Sequence, residues 1–66
     1  MRATRILAAT DNCENGDCPT IYLSDRGTLI VQGDTAQAEG VTLGRSEQAV
    51  EIPAQLLREA ADALGG

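Results

Sequence analysis

Histidine, tryptophan, phenylalanine and lysine are all missing from the sequence, and tyrosine occurs once, as Tyr22. Without histidine there is no imidazole to act as general base or to activate a hydroxyl or thiol nucleophile. The neutral nitrogen ligand of most zinc sites is missing too. No apolar run approaches the length needed to span a bilayer, about 20 residues. No glycine-rich phosphate loop exists, because Gly27, Gly33, Gly40 and Gly44 are scattered through turn-like stretches. Together these absences lead to the expectation that the chain is not an enzyme.

The scarcity of aromatics also limits the core. A chain of 66 residues makes one domain, and ten alanines raise its hydrophobic fraction without adding much core volume. A domain this small has a thin stability margin, so the core is expected to be completed by a protein partner or a second copy of the chain, as a homodimer. Residues 1–66 are read as a single small domain, with 1–3 and 65–66 expected to be flexible.

Ten acids stand against five bases, for a net charge of −5. That balance gives no phosphate-binding footprint, so direct nucleic-acid contact is not expected. It suits solubility and a partner that is itself basic, such as a DNA-binding protein. All five bases are arginine. Alanine, glycine, arginine and aspartate are spelled by GC-rich codons, lysine and phenylalanine by AT-rich ones, so the composition points to a GC-rich bacterial genome. Arg2 and Arg5 precede only a short apolar run at 6–9, too short for a secretory h-region. No membrane association is expected, and the cytoplasm is the expected location.

The fold expected is α+β, a small antiparallel sheet of three to four strands packed by one C-terminal helix. Residues 4–9 read as a short first strand or a disordered lead-in. Residues 11–19 are dense in turn formers and acids and read as a loop. Residues 20–24 and 28–32 are rich in β-branched and large apolar side chains, and Asp25, Arg26 and Gly27 between them suit a type I turn with glycine in the left-handed position. This gives a central hairpin over 20–32. The unbroken Leu29, Ile30 and Val31 predict a central strand with both faces at least partly covered. In 33–46, residues 35–39 suggest one helical turn ended by Gly40, after which Val41 and Leu43 dip into the core. Alternation over 47–52 predicts a half-buried strand with Val50 and Ile52 on one side. Pro53 suits the first position of a helix over 53–64. Leu56, Leu57, Ala60, Ala61 and Leu64 form its apolar stripe, with Gln55, Arg58, Glu59 and Asp62 opposite and Gly65 as its C-terminal cap.

Cys13 and Cys18 form a C-x4-C pair in the acidic loop. Two reduced structural cysteines and a disulfide both remain open. A disulfide would close a six-residue loop and contribute about 2 kcal/mol. No cofactor is expected; zinc is the alternative, and it would need carboxylates or a second chain, since structural zinc takes four ligands. The neighbouring acids disfavour a thiolate and hence a reactive thiol. A C-terminal diglycine also ends ubiquitin-like and sulfur-carrier proteins, but there it follows a final strand. Here Gly65 and Gly66 follow a helix, so a carrier role is a minor alternative.

The string Cys13-x4-Cys18-Pro19-Thr20-Ile21-Tyr22, then Asp25 through Gly33, then Ala49-Val50-Glu51-Ile52-Pro53-Ala54-x-Leu56-Leu57 resembles a group of small actinobacterial proteins. These are commonly encoded beside helix-turn-helix regulators of the WhiJ type, in clusters that also carry BldB-like small acidic proteins. The chain lacks the Trp and Phe residues of the BldB-like pattern itself. The resemblance implies an accessory or regulatory protein that binds a protein partner, a helix-turn-helix transcription regulator. The partner-binding residues expected are Tyr22 and Arg26 on the hairpin and the outward acids Glu51, Glu59 and Asp62. The alternative is a metal- or redox-responsive module on Cys13 and Cys18, dimeric if metal is shared.

Overall fold

The computed structural model describes residues 1–10 and 18–65. Six elements follow in order: β1 (Ala3–Ala9), β2 (Thr20–Ser24), β3 (Leu29–Gln32), β4 (Asp34–Thr35), β5 (Val50–Glu51) and α1 (Ala54–Ala63). The strands β1, β2 and β3 form an antiparallel sheet in that order, and β4 and β5 form a separate antiparallel pair. The helix α1 packs on β1 and β2. The α+β class expected from the sequence is the one found.

The hairpin is built as its residues dictate. Gly27 takes φ 75°, the left-handed conformation that its lack of a Cβ makes cheap. Its N–H donates to the Ser24 carbonyl at 3.3 Å, and the Ser24 N–H donates to the Thr28 carbonyl at 2.9 Å. Ser24, only 3% exposed, organises the turn: its Oγ accepts from the N–H of Arg26 and of Thr28, each at 3.1 Å, and lies 2.6 Å from Thr28 Oγ1.

The first strand is a full member of the sheet. Its ladder starts at Ala3, opposite Ser24. Just before it, Arg2 donates its N–H to Asp25 Oδ1 at 3.1 Å and accepts from the Asp25 N–H at 2.9 Å. The register shifts between Ile6 and Ala8. Such an irregularity re-aims a side chain, which accounts for the burial of two consecutive residues, Leu7 and Ala8.

The core consists of Leu7, Ala8, Ile21, Leu56 and Ala60, with Leu23 and Ile52 packed against it. It is thin, and several expected members lie outside it. The run Leu29–Val31 is an edge strand, not a central one, and Leu29 and Val31 are 43% and 40% exposed. The central strand is β2, because β1 takes the third place in the sheet. Of the predicted helical stripe, Leu56 and Ala60 are buried, but Leu57 and the C-cap Leu64 are 58% and 48% exposed. A single helix lying over β1 and β2 can bury only a narrow stripe, so the flanks of the predicted face stay in solvent.

The segment 33–46 departs furthest from expectation. Residues 35–39 form no helix; Thr35 ends β4, and the Ala36 N–H donates to the Ala49 carbonyl at 2.9 Å. Five residues are too few to offset the cost of nucleating a helix when a strand partner is at hand. Val41 and Leu43 are exposed rather than in the core. The turn after them is closed by the Glu47 carboxylate, which accepts from the Gly44 N–H at 2.6 Å. The strand expected over 47–52 reduces to Val50–Glu51, pairs with β4 rather than the main sheet, and leaves Val50 exposed. Pro53 is the N-cap of α1 rather than its first helical residue, with ψ 138°. Gly65, at φ 86°, caps the other end by donating to the Asp62 carbonyl at 3.0 Å.

Candidate functional site

The residues singled out on the sequence do not converge on one surface. Tyr22 lies at the middle of β2, half-buried, and its hydroxyl donates to Gln32 Oε1 at 3.2 Å. The neighbouring Ile21 enters the core beneath α1, so alternation turns Tyr22 to the opposite face of the sheet. There the register aligns it with Ile6 on β1 and Ile30 on β3. The three make an apolar row across all strands of the sheet on the side that α1 leaves uncovered. Ile6 is 61% exposed.

Arg26 sits at the hairpin tip with its side chain exposed. Glu59 and Asp62 stand three residues apart on α1, both exposed, with Arg58 donating to Gln55 Oε1 at 2.9 Å on the same outward side. These helix acids are separated from Tyr22 by the thickness of the domain.

Glu51 belongs to a third region. It pairs directly with Asp34 across β4 and β5, and both carboxylates are exposed. They line an open cleft of about 440 Å³ together with Pro19, Ile52 and Pro53. The lining supplies two carboxylates and apolar groups, with no arginine to balance them. Gly33 lets the chain cross here: a Cβ at that position would come within 2.5 Å of the Glu51 carbonyl oxygen. Asp34 and Ile6 were not predicted as parts of a surface. Their placement comes from strand register, which no local sequence pattern encodes.

Cys18 is half-buried and disulfide-bonded. Its carbonyl accepts from Thr20 Oγ1 at 3.0 Å and from Gln32 Nε2 at 2.9 Å, which ties the end of the loop to both hairpin strands. Cys13, the other expected member of the pair, lies outside the described residues, as does Gly66. Among the described residues, no group of three or more His, Cys, Asp or Glu is placed to hold a metal ion. No helix among them is long and apolar enough to cross a membrane.

In comparisons with known proteins, no family model, no curated protein and no solved structure matches the chain.

Proposed function

We propose that this chain is a non-enzymatic accessory protein that acts by binding a protein partner, a helix-turn-helix transcription regulator in the cytoplasm. The observation that carries the reading is the row Ile6, Tyr22 and Ile30, an apolar strip on the sheet face that α1 leaves uncovered. Apolar and aromatic groups at the centre of a patch, rimmed by charge, are the usual anatomy of a protein contact. The acidic balance of the chain favours a partner with a cationic face, which DNA-binding proteins present. The choice of a helix-turn-helix regulator rests on the sequence resemblance.

A tagged chain used for pull-down at low and moderate salt tests this. A helix-turn-helix protein is expected among the captured proteins, with Tyr22→Ala and Ile6→Asp variants losing it. Absence of any DNA-binding protein from the capture would sink the reading.

The disulfide at Cys18 favours a second reading, a redox-responsive module. Thiol titration of anaerobically purified protein, compared with the air-oxidised form, separates the two. If partner capture is the same in both redox states, this second reading fails.

A further inference from the structure

Among the described residues the outer edge of β3 is open, and its backbone directions follow from the hairpin. The Ser24 N–H donates to the Thr28 carbonyl, so that pair is a hydrogen-bonded one. Antiparallel pairs alternate between bonded and non-bonded. The pairs Leu23–Leu29 and Ile21–Val31 are therefore non-bonded, and the N–H and C=O groups of Leu29 and Val31 point away from β2. None of these outward groups has a partner among the described residues. The side chains of the same two residues, 43% and 40% exposed, flank the region covered by α1.

Edge strands are usually guarded by charge, proline or a bulge. The other edge of this sheet, β1, carries Arg5 and two register irregularities. By contrast β3 is Leu29-Ile30-Val31-Gln32, with no charge, no proline and an unbroken register. Charges flank it on both sides: Arg26 at the hairpin tip before it, beside Asp25 whose carboxylate accepts from the Arg2 N–H, and Asp34 just after it, all exposed.

We infer that β3 is a self-pairing edge, and that two copies of the chain join there antiparallel, about a two-fold axis at Ile30, into one six-stranded sheet. In that register Leu29 lies opposite Val31 of the second copy, and their outward N–H and C=O groups satisfy each other reciprocally. Both apolar side chains meet their counterparts on the helix-bearing face. Four residues before Ile30 is Arg26 and four after it is Asp34. The two residues lie beyond opposite ends of β3, so antiparallel pairing brings each arginine to the end of the edge nearest the second copy's Asp34, and this happens twice. Parallel pairing would set arginine against arginine and aspartate against aspartate. The arrangement is isologous and closed, so it stops at two copies. It also supplies a cation to Asp34, which faces only Glu51 across its own ladder. This inference does not depend on the identity of any other partner.

Light scattering or sedimentation equilibrium of the full chain over a range of concentrations tests it. The wild-type chain is expected to pass from one to two chain masses as concentration rises. Val31→Lys, which places a charge at an exposed edge position, is expected to stay at one. Arg26→Asp and Asp34→Arg are each expected to weaken association about tenfold, since two attractive pairs become repulsive. The double variant Arg26→Asp with Asp34→Arg restores opposite signs and is expected to return close to wild type. A wild-type chain that holds one mass throughout overturns the inference and leaves the edge to a strand of some other protein. A dimer untouched by Val31→Lys, or a double variant as weak as the single ones, overturns it equally.

Discussion

Asp34 and Glu51 stand directly opposite each other across the β4–β5 ladder, two carboxylates where a cross-strand pair would ordinarily be apolar or of opposite charge. Only two residues on each side make up that ladder. Removing one charge should therefore help it. Glu51→Gln is expected to raise stability by a few tenths of a kcal/mol up to about 1 kcal/mol in dilute, low-salt solution. The gain should shrink in high salt, where the repulsion is screened. Urea unfolding of both proteins at two ionic strengths measures this; a destabilised Glu51→Gln would show that the carboxylate has an attractive role.

Leu56 and Leu57 are neighbours with opposite surroundings, 2% and 58% exposed. Leu56→Ala removes one of the two largest fully buried side chains and should cost about 2–5 kcal/mol, enough to unfold so small a domain. Leu57→Ala should change stability by less than about 0.5 kcal/mol. Thermal melts followed by circular dichroism distinguish them.

Gly33 lies where the chain leaves the main sheet and passes the Glu51 carbonyl. Gly33→Ala would force a Cβ to within 2.5 Å of that oxygen, so backbone must move. A loss of about 1–3 kcal/mol is expected. Gly27→Ala has open space around it and only the left-handed backbone against it, at φ 75°. It should cost about 1–2 kcal/mol. The two glycines are thus needed for different reasons: asparagine should recover much of the loss at Gly27 and none at Gly33.

Ser24 accepts two backbone hydrogen bonds with its hydroxyl while almost fully buried. Ser24→Ala leaves the Arg26 and Thr28 N–H groups without that acceptor, at a cost of about 1–3 kcal/mol. Hydrogen exchange at those two amides should accelerate more than exchange in α1.

Reduction of the disulfide at Cys18 should lower stability by about 2 kcal/mol in urea titrations with and without reductant. An unchanged midpoint would mean that the bond contributes nothing to the folded state.

The parts of this fold that could be read from sequence are those with local causes. The turn at Asp25, Arg26 and Gly27 depends on residues adjacent in the chain, and so do the stripe of Leu56 and Ala60 and the cap at Gly65. What could not be read depends on which element neighbours which. Leu29, Ile30 and Val31 have the composition of a buried strand, yet β1 takes the inner position beside β2 and leaves them at the edge. Val41 and Leu43 are apolar, yet a single narrow helix leaves them no partner layer. The candidate surface divides the same way. The outward acids of α1 follow from helical spacing, whereas the row Ile6, Tyr22 and Ile30 and the facing Asp34 and Glu51 arise only when strands from distant parts of the chain come into register.

The guanidinium of Arg5 donates to the Ala63 carbonyl at 3.2 Å, a bond between residues 58 apart in the chain. The same two elements, β1 and α1, share the core. During synthesis β1 therefore waits for α1, far along the sequence, before its apolar side is covered. Closing so large a loop early is entropically costly, so folding of this small domain should be slow for its size and should begin at the hairpin. A nascent chain halted before Leu56 would hold Leu7 and Ile21 exposed, a natural point of engagement for chaperones during synthesis.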